Sequence, residues 1–154
     1  MGVVGAYNFR RVDERITTSG LLGEEQLRGL GAEGYDAVVN LLPADNEWAV
    51  ADEAAIVVEQ GLDYVHIPVD FDAPTRADLE RFVEAMDGLV DRTVHVHCAA
   101  NYRVSAFYGL YALRTGRWTE AQADALVRDL WDPSEHPVWA AFIAAERTAW
   151  GDPT

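Results

Sequence analysis

Short apolar runs alternate with stretches of helical periodicity along this chain, and this alternation restricts the folds open to it. The runs lie at 35–42 (YDAVVNLL), 62–68 (LDYVHIP) and 93–97 (TVHVH), and helices are predicted between them at 47–60 and 75–90. Strands that are separated by helices pair in parallel, because each helix carries the chain back to the edge where the next strand begins. Ligands of such sheets bind at the carboxyl ends of the strands.

The segments on either side extend the same plan. Residues 8–18 are expected to form two short strands around a turn, and residues 23–30 a short helix. Three further helices are predicted after the last apolar run, at 104–114, 119–130 and 137–150. The sequence therefore predicts an α/β fold with a small, mostly parallel central sheet of about four to five strands flanked by helices. The length suits one core, so residues 1–154 are expected to form a single domain.

Charge and composition argue against several classes of partner. The formal net charge is −14 and no basic stripe is present, so we expect no binding to nucleic acid. No apolar run approaches the ~20 residues of a membrane helix, and the first residues lack the pattern of a secretion signal. We therefore expect a cytoplasmic protein that does not bind membranes, and the sequence leaves its oligomeric state open. The acidic pair at 52–53 is expected on a solvated helix face.

The single cysteine of the chain, Cys98, follows the third apolar run and precedes a predicted helix. A lone cysteine forms no internal disulfide, so it is either a small buried residue or a reactive thiol. A loop that joins a strand end to a helix start points several N–H groups into one concavity, and the helix N-terminus adds partial positive charge. Such a field binds phosphate and favours the thiolate, which attacks phosphorus to form a covalent intermediate.

The residues after Cys98 supply the other parts of a phosphate site. Arg103 carries a planar guanidinium that can bind two phosphate oxygens at once, which lysine cannot do. Asn101 tolerates a left-handed backbone better than most residues, which suits a tight turn. No metal or other cofactor is implied, because neighbouring strand residues such as His97 and Cys98 face opposite sides of a sheet. The phosphate would be held by the loop residues Ala99, Ala100, Asn101, Tyr102 and Arg103.

His97 and Cys98, followed by Arg103 and Ser105, resemble the phosphate-binding loop of the cysteine-dependent protein tyrosine phosphatase superfamily, His-Cys-x5-Arg-Ser/Thr. Upstream, the segments TSG, DAVVNL and YVHIP resemble the succession found in bacterial dual-specificity-like phosphatases, cyanobacterial proteins among them. The resemblance extends over about residues 16–115. It implies a tyrosine phosphatase-like fold and hydrolysis of a phosphomonoester, phosphotyrosine included, in a small molecule or a phosphoprotein.

The resemblance also implies roles for neighbouring residues. The general acid of the family is an aspartate on a mobile loop, which corresponds here to 68–74 and offers Asp72 and Asp70. Asp72 is preferred because it lies deeper in the connection, next to an aromatic residue that could pack over the pocket. Ser105 is expected to hydrogen-bond the thiolate and ease its departure, and His97 to order the loop through its ring.

The loop departs from the family pattern, because four residues rather than five separate Cys98 from Arg103. Two interpretations are open. In one, the loop is one residue short and Arg103 takes the role of the family's arginine. In the other, the loop has its full length, since Ser105 lies where the family has Ser or Thr, and Val104 then occupies the arginine position.

Two alternative functions follow from this departure. A loop of altered geometry could bind phosphate or a phosphoprotein weakly and turn it over slowly or never. The four-residue spacing also resembles the loop of rhodanese-like sulfurtransferases, Cys-x-x-Gly-x-Arg-Ser, which carry sulfur on the cysteine as a persulfide. Val104, which separates Arg103 from Ser105, and His97 before the cysteine favour the phosphatase, as does the acidic loop at 68–74.

Overall fold

The computed structural model of this chain describes residues 2–151, without the side chains of 150 and 151. Residues 1 and 152–154 of the predicted domain lie outside the described residues. The described strands are β1 (Arg10–Arg11), β2 (Ile16–Ser19), β3 (Ala37–Asn40), β4 (Asp63–His66) and β5 (Val94–His97). They form one sheet in the order β1-β2-β5-β3-β4, in which every pair is parallel except β1 with β2. The predicted small, mostly parallel sheet is confirmed.

Helices cover both faces of the sheet. The described helices are α1 (Glu24–Gly29), α2 (Glu53–Glu59), α3 (Arg76–Gly88), α4 (Tyr102–Arg114), α5 (Glu120–Leu130) and α6 (Pro137–Gly151), with short 3-10 turns at Val3–Gly5 and Pro133–Glu135. Thr75 accepts a hydrogen bond from the N–H of Asp78 and caps α3. Within residues 2–151, no helix has the length and apolar character that crossing a membrane would require.

Two helices begin at positions other than those predicted. The helix expected from 47 begins at Glu53, because the preceding residues form turns in which Asn46 accepts a hydrogen bond from the N–H of Trp48 at 2.8 Å. Such a local bond competes with helix formation. The helix expected from 104 begins two residues earlier, because the left-handed conformation of Asn101 turns the chain into the helix at that point.

The two faces of the sheet carry different side chains, and this determines which way the site residues point. Val94, Val96 and Cys98 lie in the apolar core that includes α3 and α4. His95 and His97 alternate with them, so they point to the opposite face, against which α1 and α2 pack. Burial of each large apolar side chain contributes about 1.5–3 kcal/mol, so the strand is held firmly in this register.

The C-terminal segment folds back over the carboxyl end of the sheet. Trp139 of α6 is completely buried, and its indole N–H donates to the carbonyl oxygen of Phe71 at 2.7 Å. Trp131, between α5 and α6, is buried in the same core. The C-terminal segment therefore fixes the loop that follows β4, and this loop lies next to Cys98.

Candidate active site

The loop between β5 and α4 lies at the carboxyl ends of the parallel strands, as the predicted topology requires. Cys98 is the first residue after β5 and is completely buried. Asn101 precedes α4 with φ of 69°. The first N–H groups of any α-helix have no acceptor within the helix, and none is found in residues 2–151 for the N–H groups of Ala99 and Ala100. Several N–H donors are therefore available to an anion.

A cavity of about 200 Å³ opens beside this loop. Its wall combines the nucleophile candidate with the arginine candidate, so the four-residue spacing brings Cys98 and Arg103 to the same space. Val104 is completely buried in the apolar core instead. Of the two interpretations left open by the sequence, the geometry favours the shorter loop with Arg103 facing the cavity. The lining residues are Phe71, Cys98, Ala99, Ala100, Tyr102, Arg103 and His136.

The side chain of Arg103 is buried, and no anionic group pairs with it among the described residues. It is 8% exposed, and its guanidinium carbon lies 5.3 Å from the ring centroid of Phe71. Its Nε has no hydrogen-bond partner, and no carboxylate pairs with it in the described part of the chain. A buried, unpaired charge is costly, and an anion in the cavity would remove that cost.

The segment before β1 clamps the loop. The side-chain amide of Asn101 donates to the carbonyl oxygen of Asn8 at 2.8 Å and to the hydroxyl of Thr18 at 2.9 Å. Asn8, which is itself left-handed, donates in return to the carbonyl oxygen of Ala100 at 2.9 Å. These bonds hold the turn in the conformation that its N–H groups would need to bind an anion. The sequence signal was the tolerance of asparagine for this backbone; its partner Asn8 was not predicted.

His97 makes a buried contact with α2. Its Nε2 lies 2.6 Å from Oε2 of Glu53, and because a carboxylate accepts, Nε2 carries the proton. The prediction that the acidic pair at 52–53 lies on a solvated face is wrong for Glu53, which is 6% exposed. Glu53 is buried because His97 points to the face that α2 covers. The contact orients the residue beside Cys98, while the His97 Nδ1 is buried without a partner in the described residues.

His95 is the centre of a second buried network. Its Nδ1 lies 2.7 Å from the hydroxyl of Thr17, and its Nε2 lies 2.8 Å from that of Ser19. The Ser19 hydroxyl donates to the carbonyl oxygen of Gly20, so Nε2 must be the donor to Ser19 and Nδ1 the acceptor from Thr17. Burial, with His97 nearby, lowers the pKa of His95 well below its ordinary value. The ring is therefore neutral and supports the strand.

Ser105 is fully buried in the first turns of α4. Its hydroxyl donates to the carbonyl oxygen of Tyr102 at 3.0 Å and accepts from the indole N–H of Trp131 at 3.0 Å. The ring of Tyr102 stacks on that indole at 4.8 Å. Ser105 thus anchors one aromatic wall of the cavity, and its predicted hydrogen bond to the thiolate stays a prediction.

The two aspartates predicted as the general acid flank a residue of the cavity wall. Phe71 lines the cavity, in agreement with the expected aromatic cover, whereas Asp70 and Asp72 are exposed and are not part of the wall. The carboxylate of Asp70 accepts a hydrogen bond from the N–H of Asp72 at 2.9 Å. In this arrangement neither carboxylate lies beside Cys98, and their catalytic role stays a prediction.

His136 is a lining residue that the sequence did not reveal. It follows the 3-10 turn before α6 and is half-buried. Its ring lies edge-on to Phe71 at 5.2 Å and 5.5 Å from the ring of Trp131. No local motif marks this residue, because only the packing of the C-terminal segment brings it to Cys98.

A larger depression of about 470 Å³ lies elsewhere, between α5 and α6. Its floor is apolar, with Val127, Ala140 and Ile143, and its rim carries charges such as Arg128. Its lining holds no cysteine. We therefore take the smaller cavity as the candidate active site, because a large volume by itself supplies no cysteine nucleophile.

A buried cysteine at a strand end, a short loop of free N–H groups and an inward-facing arginine define the class of cysteine-dependent, tyrosine phosphatase-like proteins. A family model described as "Polymorphic toxin system, DSP-PTPase phosphatase" matches residues 17–117, and the chain belongs to this family.

Two solved structures and a curated protein are similar to this chain. A crystal structure of a proposed phosphatase (DUF442) from Shewanella putrefaciens is 36% identical with a TM-score of 0.87, over 96% of this chain and 94% of that chain. The core catalytic domain of the PP-IP phosphatase SIW14 from S. cerevisiae is 16% identical with a TM-score of 0.73, over 90% of this chain and 85% of that chain, and shows a shared fold. A beta-lactamase hydrolase-like protein from Agrobacterium fabrum is 28% identical over 110 residues, 70% of this chain and 25% of that protein. The chain thus spans a quarter of that relative's length.

Proposed function

We propose that this chain hydrolyses phosphate monoesters through a covalent phosphocysteine on Cys98. The observation that carries the proposal is that the buried thiol of Cys98 and the guanidinium of Arg103 lie in the wall of one cavity, beside N–H donors. The Arg103 Nε has no hydrogen-bond partner among the described residues. Phosphate suits these donors because it is an anion that accepts from both backbone N–H groups and a planar guanidinium. Membership of a phosphatase family supports the same reaction. The substrate is then a phosphorylated small molecule or a phosphoprotein.

The reaction has two displacement steps. The thiolate of Cys98 attacks phosphorus, an S–P bond forms, and the bond from phosphorus to the leaving oxygen breaks as that oxygen takes a proton. Water then attacks phosphorus, loses a proton, and the S–P bond breaks to return the thiolate and release inorganic phosphate. Arg103 and the loop N–H groups bind the three equatorial oxygens and stabilise their charge in both transition states. In this scheme they compensate the phosphate charge without a metal ion.

The proton donor predicted from the sequence is Asp72, with Asp70 second. Either carboxylate would have to turn past Phe71 to reach the cavity, since both are exposed where the structure places them. Ser105 is proposed to assist departure of the thiolate through a change in its hydrogen bonds, which go to Tyr102 and Trp131.

A second candidate function is phosphate or phosphoprotein binding without turnover. The position of Asp70 and Asp72 outside the cavity wall favours it, because a site without a proton donor binds phosphate but cleaves poor leaving groups slowly. Sulfur transfer is the third candidate function, and only the four-residue spacing between Cys98 and Arg103 supports it.

The first test is hydrolysis of para-nitrophenyl phosphate by the purified protein and by Cys98→Ser, across about pH 5 to 8 where histidines and activated thiols titrate. We expect activity in the wild type that is lost in the variant, because the hydroxyl of serine is a much weaker nucleophile than a thiolate. Wild-type activity equal to that of Cys98→Ser would contradict the proposal.

A binding measurement separates the alternatives in that event. Calorimetric titration of Cys98→Ser with inorganic phosphate or tungstate tests the binding function, and transfer of sulfur from thiosulfate to cyanide tests the sulfurtransferase. Binding without hydrolysis would support the second candidate function.

A further inference from the structure

The proposed reaction needs a proton donor beside the leaving oxygen, and the cavity wall offers few groups that could serve. A donor must come within hydrogen-bond reach of the oxygen that it protonates. Apart from the nucleophile, the polar side chains in the wall are Arg103, Tyr102 and His136. A guanidinium does not release its proton in proteins, and a phenol is a far weaker acid than an imidazolium. His136 is the remaining group.

The aspartates on either side of Phe71 are exposed and are not part of the wall. The N–H of Asp72 and the carboxylate of Asp70 are joined to each other, and the N–H of Ala73 donates to the carbonyl oxygen of Asp70 at 3.1 Å. Phe71 is fixed by the bond from the indole N–H of Trp139 to its carbonyl oxygen, and it lines the wall. Bringing the Asp70 carboxylate inward would break its bond to the N–H of Asp72.

The ring of His136 is positioned, yet its nitrogens are available. Aromatic neighbours hold the ring: Phe71 edge-on at 5.2 Å and 82°, Trp131 at 5.5 Å and Tyr102 at 6.2 Å. The backbone is fixed as well, because the N–H of His136 donates to the carbonyl oxygen of Pro133 at 2.9 Å. Neither ring nitrogen makes a hydrogen bond to another group in the described residues. Positioning without a competing hydrogen bond is what a proton-transfer group requires.

We propose that His136 is the catalytic acid and base of this site. The inference rests on the proposed phosphatase function. In the first step the imidazolium of His136 gives its proton to the bridging oxygen as the bond from phosphorus to that oxygen breaks and the bond from Cys98 sulfur to phosphorus forms. In the second step the neutral imidazole takes a proton from water as the water oxygen attacks phosphorus and the S–P bond breaks. The ring, the thiolate and the charges are then restored.

The experiment compares two substrates that differ in their need for an acid. Para-nitrophenolate leaves without assistance, whereas phenolate, whose acid resembles the tyrosine side chain with a pKa of about 10, needs a proton. For His136→Gln we expect kcat/KM to fall at least about 100-fold with phenyl phosphate and far less with para-nitrophenyl phosphate. Glu135→Gln, an exposed carboxylate one residue earlier, is the matched control and should leave both rates unchanged.

The outcomes separate a catalytic role from a structural one. If His136→Gln lowers kcat/KM equally with both substrates, the ring only packs in the wall, and the inference is overturned. A loss selective for phenyl phosphate in Asp72→Asn or Asp70→Asn, but not in His136→Gln, would also overturn it. If His136→Gln unfolds at a lower temperature than the wild type, His136→Asn repeats the comparison. Wild-type protein no more active than Cys98→Ser would overturn the proposed function itself, and this inference with it.

Discussion

In the proposed reaction, phosphate recognition depends most on the guanidinium of Arg103. It is buried, its Nε has no partner among the described groups, and its carbon lies over the ring of Phe71. Around it the chain carries a net charge of −14, so an anionic substrate is repelled at long range and attracted only at the cavity. The local donors must therefore provide the affinity for phosphate, and the shape of the guanidinium matters as much as its charge.

Arg103→Lys tests this dependence on shape. Lysine keeps the charge but loses the planar fork, so it cannot make two parallel hydrogen bonds to phosphate. Charge-assisted hydrogen bonds contribute about 1.5–3 kcal/mol, which predicts a loss of kcat/KM on the order of 10- to 100-fold with para-nitrophenyl phosphate. Arg128→Lys, on the rim of the larger depression, is the matched control and should behave as wild type. Unchanged kinetics in Arg103→Lys would show that Arg103 does not bind the phosphate bidentately.

Among the elements, β2 and the loop after β5 fit against each other through backbone atoms. The N–H of Leu21 donates to the carbonyl oxygen of Ala99 at 2.9 Å, and the N–H of Cys98 donates to that of Ser19 at 3.3 Å. Gly20 lies between these bonds, where a Cβ atom would come 2.5 Å from the carbonyl oxygen of Ala99. A glycine is required here because the two backbones approach too closely for a side chain.

Gly20→Ala should therefore destabilise the protein and distort the loop. The added methyl group meets backbone, which cannot move aside as a flexible side chain could, so we expect a loss of about 1–3 kcal/mol in the free energy of unfolding. Urea denaturation measures this loss. Gly88→Ala, at the end of α3 with open space around it, is the matched control and should be neutral or slightly stabilising. Equal stability of the two variants would contradict the close approach.

For the molecule as a whole, the buried side chain of His95 makes stability depend on pH. The pKa of His95 is lowered well below its ordinary value, mainly by burial, so the folded protein keeps this ring neutral. The unfolded chain binds a proton there below its ordinary pKa of about 6.5. Below that pH the unfolded state holds more protons, so the free energy of unfolding falls as the pH is lowered, until the pH reaches the depressed folded-state pKa.

This effect predicts that His95 alone makes a measurable contribution to the slope of the free energy of unfolding against pH. As the pH falls from about 6.5 to 5, the free energy of unfolding of the wild type should fall by up to about 1.4 kcal/mol per pH unit more than that of His95→Asn. Asparagine keeps a hydrogen-bond donor and an acceptor but does not titrate. Urea denaturation of both proteins across this range gives the difference, and groups common to both cancel. Parallel curves would mean that His95 is protonated equally in the folded and unfolded states.

The sequence by itself determined the sheet and the place of the site. Apolar runs separated by helices leave parallel pairing as the way to bury them. The junction of β5 and α4 puts Cys98 and the N–H groups of the loop after it at the carboxyl edge of the sheet. These features follow from local patterns, because strand alternation and helix starts depend on neighbouring residues.

Only the tertiary structure decided which side chains share the cavity. Arg103 rather than Val104 faces it because the left-handed Asn101 starts α4 two residues earlier than the sequence indicated. Glu53 is buried because His97 points to the face that α2 covers, and His136 lines the wall because α6 folds back over the sheet. Such contacts join residues far apart in the chain, and no local pattern encodes them, since their geometry is fixed by how the helices pack.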